Sequence, residues 1–240
     1  MNPLVVRCLA PSQEARAKQI ALDLGVPFDE ESDANITLCV SEQGLALQFS
    51  GQKPIAPDFQ WERWKQRRQE GGKQALIKAC KPKPGMCIID ATAGWGRDSA
   101  LLASFGAKLS MLERSTVMQT LLQDALQRQD SVSQQRLNLS LIKTDAIAYL
   151  SELSTEEAPE LIYLDPMHPE REKSALVKQD LQLLQDLIGQ DRDVSQLLQQ
   201  ARRVAKSKVV LKWPAKKPFP VEPQYCIRGK TIQYGCYPSK

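Results

Sequence analysis

Short apolar runs alternate with longer stretches of helical spacing through most of the chain beyond residue 85. The continuous runs predict buried strands at 87–90, 109–112, 139–143, 161–164 and 209–213. The helical spacing predicts helices at 97–105, 116–128, 174–188 and 194–205. Because crossover helices between strands produce a parallel sheet covered on both faces, the pattern predicts an α/β fold.

The final apolar run breaks this alternation. It lies at 231–237 and follows its neighbour through a proline-rich stretch, from Pro214 to Pro223, that leaves no room for a crossover helix. Parallel neighbours need a long crossover, whereas antiparallel neighbours do not. We therefore expect a mostly parallel sheet with an antiparallel last strand.

The first 58 residues follow a different pattern. A predicted helix at 14–24 precedes two apolar runs that flank a turn at Ser41 to Gly44, which indicates a hairpin. The chain is thus predicted to contain a small N-terminal α+β extension at 1–58 and a main domain at 59–240.

Composition is typical of a globular protein. Of the 240 residues, 42% are hydrophobic and 25% are charged, and no apolar run approaches the roughly 20 residues that cross a bilayer. The six cysteines form no C-x-x-C pair and the chain has one histidine, so neither a metal site nor a disulfide framework is expected. The N-terminus lacks a signal-peptide pattern, which predicts a cytoplasmic protein with no membrane partner.

The net charge of +4 is too small to indicate a nucleic-acid partner, but its distribution is uneven. Residues 62–83 contain eight lysines and arginines against two glutamates, and a second basic group follows Pro169. Both groups fit either a solvated helix face or contacts to an RNA backbone. The candidate RNA-binding residues are Arg67, Arg68, Lys73, Arg171, Lys173 and Lys178.

The turn after the first strand of the main domain contains Gly94 and Gly96, where glycine lets the backbone approach a ligand closely. Glu113 ends the next strand, where an acid can bind both hydroxyls of a ribose. This arrangement fits nicotinamide dinucleotides and S-adenosylmethionine alike. The third glycine of G-x-G-x-x-G is replaced by Ser99, and the Asp98 carboxylate disfavours a pyrophosphate but suits the sulfonium and amino group of S-adenosylmethionine. We therefore expect S-adenosylmethionine as the cofactor.

Asp145 ends the third strand of the main domain and has two possible roles. An acid at this point commonly reaches the adenine edge of the cofactor in this fold. It can equally cap a helix at 146–150. The two roles are compatible, and both are kept.

The stretch LDPMHP ends the fourth strand of the main domain. Ligands of open α/β sheets bind beyond the carboxyl ends of the strands, so Asp165 is expected to face the same crevice as the glycine turn. The Asp165 carboxylate and the Pro166 carbonyl can accept the hydrogens of an exocyclic amine on a planar ring, and His168 can stack on that ring. A plain strand-ending turn with a structural histidine is the alternative.

Three segments, DATAGWGRDS, MLERS and YLDPMHPEREKSALVK, with RRQEGGKQALIKA upstream, resemble the RsmJ family of bacterial small-subunit ribosomal RNA guanine-N2 methyltransferases. The resemblance covers about residues 60–237. It implies a class I, Rossmann-like methyltransferase fold, S-adenosylmethionine as donor, and 16S ribosomal RNA or the small ribosomal subunit as partner. His168 stands where members of the family carry phenylalanine. Carried over by position, the resemblance implies a cofactor site lined by Arg97, Asp98, Glu113, Arg114, Asp145, Ala146 and Asp165.

Two other functions are compatible with these residues. An Asp-Pro turn serves any planar amine or amide, so methylation of adenine or of a protein glutamine is one alternative. A non-catalytic RNA-binding ribosome-assembly factor is the other. The presence of Asp98, Glu113 and Asp165 together favours an active enzyme.

Overall fold

The structure is a computed structural model of the 240-residue chain and describes residues 4–29, 34–71, 74–166 and 194–240. The helix predicted at 174–188 lies outside the described residues. The described residues form two compact units. The first comprises the residues up to Asp58 with Ser115–Arg128, and the second comprises Phe59–Arg114, Gln129–Pro166 and residues 194–240. The division into domains at 1–58 and 59–240 stays a prediction.

The first unit is built on a three-stranded sheet. Its strand β1 (Leu4–Cys8) pairs in parallel with β2 (Ile36–Ser41), and β2 pairs antiparallel with β3 (Gly44–Phe49). The helix α1 (Glu14–Leu24) ends at Gly25, whose φ of 63° lies in the left-handed region that favours glycine. The predicted helix and hairpin are therefore confirmed.

A second helix of this unit comes from later in the chain. This helix, α5 (Thr116–Gln127), packs on β3. Its apolar residues recur every three or four positions and are buried: Val117, Met118, Leu121, Leu122 and Ala125. The spacing that predicted a helix at 116–128 therefore marks the face that packs.

The second unit contains a seven-stranded sheet in the order β6-β5-β4-β7-β8-β10-β9. Its strands are β4 (Cys87–Asp90), β5 (Lys108–Glu113), β6 (Leu139–Lys143), β7 (Leu161–Leu164), β8 (Lys208–Pro214), β9 (Tyr225–Arg228) and β10 (Ile232–Pro238). From β6 to β8 the neighbours pair in parallel, whereas β10 is antiparallel to β8 and to β9. The predicted parallel sheet with an antiparallel last strand is confirmed. The apolar pattern did not predict β9, because this edge strand alternates only weakly.

The helices of the second unit are α2 (Trp61–Gly71), α3 (Ala75–Cys80), α4 (Arg97–Ala103), α6 (Ser131–Arg136), α7 (Ala146–Glu152) and α8 (Val194–Val204). One face of the sheet packs with α7 and α8 in an apolar core that includes Ile162, Leu164 and Leu211, all with 0% exposure. Since side chains alternate along a strand, Val210 and Lys212 lie on the opposite face. That face carries the polar groups described below.

Some features are absent from the described part of the chain. No helix there has the length and apolar character needed to cross a membrane. The same residues contain no group of three or more His, Cys, Asp and Glu side chains that could hold a metal ion. All six cysteines are described, and none forms a disulfide. The expected absence of a metal site stays a prediction, because His168 lies outside the described residues.

Candidate active site

The connection from β4 to α4 brings open backbone to the carboxyl edge of the large sheet. Gly94 and Gly96 have φ values of 51° and 66°, in the left-handed region. Gly96 is the N-cap of α4. A Cβ added at Gly94 would have the Thr92 carbonyl oxygen, at 3.9 Å, as its nearest neighbour outside the adjoining residues. Among the described residues, none closes off the surface above Gly94 to a ligand.

Glu113 lies beside this glycine loop. It ends β5, is 6% exposed, and its Oε2 accepts a hydrogen bond of 3.0 Å from the Gly94 amide. The acid that ends β5 and the glycine loop that follows β4 are thus held together. The exposed side chain of Arg114 follows directly.

The other residues of the predicted cofactor set lie at the starts of two helices. Asp145 is the N-cap of α7, and its carboxylate accepts a hydrogen bond of 3.0 Å from the Ala148 amide. Ala146 begins α7, and the exposed Arg97 begins α4. The capping role of Asp145 is therefore observed, and its contact with adenine stays a prediction.

Asp165 follows β7, and the described residues make two hydrogen bonds with it. Its backbone amide donates to Thr92 Oγ1, in the loop after β4, at 2.6 Å. Its carboxylate Oδ2 accepts a hydrogen bond of 2.7 Å from Lys212 Nζ. The Asp165 side chain is 30% exposed, so a substrate can reach it. The following residue, Pro166, is buried, and His168 lies outside the described residues.

Lys212, on β8, is a site residue that the sequence reasoning missed. Its Nζ lies 2.8 Å from Asp98 Oδ2 and 2.7 Å from Asp165 Oδ2. The Tyr163 hydroxyl also donates to Asp98 Oδ2, at 2.6 Å. We call Lys212, Asp98, Asp165 and Tyr163 the Lys212 cluster. A signal was present in the sequence, because a lysine inside the apolar run Val209–Trp213 requires a partner for its charge.

Burial changes the proton affinity of Asp90, which lies beside this cluster, and of Tyr163, which belongs to it. Burial raises the pKa of the Asp90 carboxyl to about 7, although hydrogen bonds from the Ser99 hydroxyl and the Thr92 amide oppose the rise. Burial also raises the pKa of the Tyr163 phenol, and the nearby Asp98 carboxylate adds to the effect. Tyr163 therefore remains a hydrogen-bond donor at any pH where the protein works.

The predicted RNA-binding residues are described only in part. Arg67 and Arg68 are exposed on α2, and their guanidinium carbons lie 5.5 Å from the ring centres of Trp64 and Phe105, respectively. Such cation–π contacts restrain an arginine without neutralising its charge. The remaining four lie outside the described residues: Lys73, Arg171, Lys173 and Lys178.

Known proteins share this architecture. A solved structure of a SAM-dependent methyltransferase from Neisseria gonorrhoeae superimposes with a TM-score of 0.71 at 24% identity, over 98% of this chain and 95% of that one. The sequence also matches the model of a family described as SAM-dependent methyltransferase over residues 19–239. These matches confirm the class I methyltransferase fold.

Sequence relatives define the family more closely. The chain is 46% identical over 222 residues to ribosomal RNA small subunit methyltransferase J of Legionella pneumophila (strain Corby), with 92% of this chain and 90% of that protein covered. It is 36% identical over 249 residues to the protein of the same name from Pseudomonas aeruginosa (strain LESB58), with 99% and 95% covered. The chain belongs to the ribosomal RNA small subunit methyltransferase J family. The resemblance seen in the sequence segments is thereby confirmed.

The cofactor of this methyltransferase is S-adenosylmethionine, as predicted. The site fits such a ligand in two respects. No described residue crowds the position of a Cβ at Gly94, so the cofactor can approach the backbone there. In the described part of the chain, both bonds to the Asp98 carboxylate end on Oδ2, which leaves Oδ1 for the cationic end of the cofactor.

The first test of this site concerns Glu113. We expect Glu113→Ala to weaken the binding of S-adenosylmethionine by about 1.5–3 kcal/mol, because it removes the charged acceptor proposed for the ribose hydroxyls. Isothermal titration calorimetry measures the change. Glu152→Ala, which removes an exposed carboxylate from α7, is the matched control. An unchanged dissociation constant for Glu113→Ala contradicts the assignment.

Proposed function

We propose that this methyltransferase transfers the methyl group of S-adenosylmethionine to the exocyclic N2 amine of a specific guanine in 16S ribosomal RNA. Its relatives are named ribosomal RNA small subunit methyltransferases, which supports the substrate class. The observation that carries the proposal is the Asp165 carboxylate, fixed beside the glycine loop and open to a substrate. The partner is the RNA or the small ribosomal subunit, and the reaction takes place in the cytoplasm.

The chemistry of the substrate explains the residue types. An exocyclic amine on a purine is a weak nucleophile, because its lone pair is delocalised into the ring. In this proposal Asp165 and the Pro166 carbonyl accept the two amine hydrogens and favour the pyramidal nitrogen that can attack. His168 stacks on the guanine.

The transfer itself balances without a further reactant. S-adenosylmethionine supplies the methyl group, so that a nitrogen–carbon bond forms while a carbon–sulfur bond breaks and the sulfur keeps the electron pair. Asp165 stabilises the positive charge that develops on the nitrogen. The methylated amine then loses one proton to water and becomes neutral.

The cofactor is proposed to lie along the edge formed by β4, β5, β6 and β7. Glu113 binds its ribose, Asp98 its cationic end, and Asp145 its adenine. The residues proposed to line it are Gly94, Gly96, Arg97, Asp98, Glu113, Arg114, Asp145, Ala146 and Asp165.

The proposed function is tested by incubating unmodified small ribosomal subunits with isotope-labelled S-adenosylmethionine and analysing the nucleosides by mass spectrometry. The expected product is labelled N2-methylguanosine. Free 16S ribosomal RNA, assayed in parallel, shows which form is the substrate. Label on adenosine or on protein glutamine supports the alternative amine substrates. Bound RNA with no transferred label supports a non-catalytic assembly factor.

A second prediction concerns the backbone of the RNA. We expect the double variant Arg67→Gln with Arg68→Gln to weaken RNA binding and to reduce the slope of log K against log salt by up to about two, because each charge releases about one counterion. Filter binding over a salt series measures the slope. The pair Lys18→Gln with Lys53→Gln removes two exposed charges from the first unit and serves as control. Equal slopes in both double variants contradict the RNA contact.

A further inference from the structure

The Lys212 cluster contains a largely buried cation between two carboxylates. The Lys212 side chain is 13% exposed, against 27% for Asp98 and 30% for Asp165. The strand register explains why Lys212 lies beside Asp165. Leu164 of β7 pairs with Leu211 of β8, so the next pair along the parallel strands is Asp165 and Lys212. Tyr234 of β10 lies opposite Lys212 in the antiparallel pair. The lysine therefore stands in the row of residues that forms the carboxyl edge of the sheet.

We propose that Lys212 is the positioning residue of the methyl-transfer site: its ammonium fixes the orientation of the Asp165 carboxylate and keeps it ionised, so that it can accept the hydrogens of the substrate amine. This inference rests on the proposed function of Asp165. Thr92 anchors the backbone of Asp165 and Lys212 anchors its carboxylate. The two anchors act on different atoms, so the loss of the second leaves the chain path in place.

The charge of Lys212 is secured by its partners. Burial lowers the pKa of the Lys212 ammonium, but the carboxylates of Asp165 and Asp98 outweigh burial and raise this pKa above its ordinary value. The ammonium is therefore present throughout the working pH range.

Among the described residues, Lys212 Nζ contacts both carboxylates, so its removal takes away the attraction that offsets their mutual repulsion. The charged and titratable groups that face this ammonium come from four elements: Asp165 and Tyr163 from β7 and its end, Asp98 from α4, Asp90 from β4 and Tyr234 from β10. Tyr163 donates to Asp98, so it cannot replace Lys212 at Asp165. Repulsion between Asp98 and Asp165 then favours the protonated form of Asp165, which can no longer accept the amine hydrogens as a carboxylate.

The same strand supplies a matched control. Lys208 lies four residues before Lys212 on the same face of β8, and its Nζ donates to the Ala79 carbonyl rather than to a carboxylate. Both lysines are partly buried, but Lys212 is the one whose ammonium pairs with Asp98 and Asp165. Lys208→Met therefore reproduces the loss of a lysine from β8 without a change at Asp165.

The first experiment measures single-turnover methyl transfer to small ribosomal subunits as a function of pH. We expect Lys212→Met to lower the rate constant by up to about 100-fold, since the acceptor loses its fixed position. The acid limb of its pH profile is expected to move to higher pH by about one to three units. Lys212→Arg keeps the cation and is expected to keep the wild-type acid limb with a partly reduced rate. Lys208→Met is expected to keep the wild-type acid limb.

The second experiment does not depend on the substrate. Carbon-13 NMR follows the side-chain carboxyls, and the Asp165 signal is identified by its loss in Asp165→Asn. We expect its titration midpoint to lie higher in Lys212→Met than in the wild type and in Lys208→Met. If Lys212→Met does not fold, Lys212→Gln, which keeps a hydrogen-bond donor without the charge, takes its place.

The outcomes separate the two proposals. A shifted Asp165 titration in a protein that methylates no RNA overturns the proposed function and supports the coupling of Lys212 to Asp165. A wild type that methylates guanine, with neither the acid limb nor the titration midpoint moved in Lys212→Met, overturns the role of Lys212.

Discussion

Asp165→Ala is expected to lower the rate constant for methyl transfer by about 100- to 1000-fold while leaving RNA affinity nearly unchanged. The carboxylate is proposed to act mainly in the transition state, where the amine nitrogen gains positive charge. An interaction that strengthens only there changes turnover rather than binding. Single-turnover rates and equilibrium RNA binding, measured on the same preparations, separate the two effects.

The structure makes this variant a clean test. The bond to Thr92 comes from the Asp165 backbone amide, which alanine retains, and Lys212 still has Asp98 as its partner. Asp165→Asn keeps an acceptor but loses the charge, so we expect activity between that of Asp165→Ala and the wild type. Equal losses of RNA affinity and turnover in Asp165→Ala would assign Asp165 to substrate binding instead.

The sequence predicts those residues of the site that lie at or just beyond the ends of predicted strands. Glu113 and Asp165 come directly after buried runs, and Gly94 lies in the turn that follows another, while the carboxyl ends of parallel strands share one edge of a sheet. The structure brings these residues together through the Gly94–Glu113 bond and the Thr92–Asp165 bond. Local pattern and one general property of parallel sheets suffice for this prediction.

Lys212 could not be placed in the same way. The apolar run around it predicts a strand, but its partners depend on strand order and register. β8 pairs with β7, although the chain between them is more than forty residues long, and only the register of that pair sets Lys212 beside Asp165. The charge in an apolar run indicates that a partner exists without saying which one.

The grouping of α5 escaped prediction for a related reason. Its helical spacing predicts the element and the buried face, and its position between two strands suggests only a crossover. Besides the apolar face of α5, its contacts with the first unit include hydrogen bonds to Asp124, a polar residue on the mainly apolar side of the helix. Its burial depends on partners that lie about 80 to 110 residues earlier in the chain.

Asp124→Ala is expected to lower the free energy of unfolding by about 3 kcal/mol, because it removes a buried acceptor that three donors share. The Asp124 side chain is 3% exposed and accepts bonds from Arg16 at 2.6 Å, Arg128 at 2.8 Å and the Leu45 amide at 3.0 Å. Both arginines reach solvent, so their charges are rehydrated in the variant. The Leu45 amide is buried, so water cannot replace the hydrogen bond that it loses. This lost bond makes up much of the expected change. Urea unfolding measures it.

The pH dependence of the same variant tests the cause. Burial raises the pKa of Asp124, but the Leu45 amide and the two arginines outweigh burial and hold this pKa below the ordinary value of 3.8. Stability from a lowered carboxyl pKa is present above the unfolded value and is lost as the pH falls through the folded value. We therefore expect the wild type and Asp124→Asn to differ most near neutral pH and to converge in acid. Asp23→Asn, on the exposed face of α1, is expected to stay within about 0.5 kcal/mol of the wild type. A stability difference for Asp124→Asn that is the same at neutral and at low pH would mean that packing rather than the ionised carboxylate holds α5 to the hairpin.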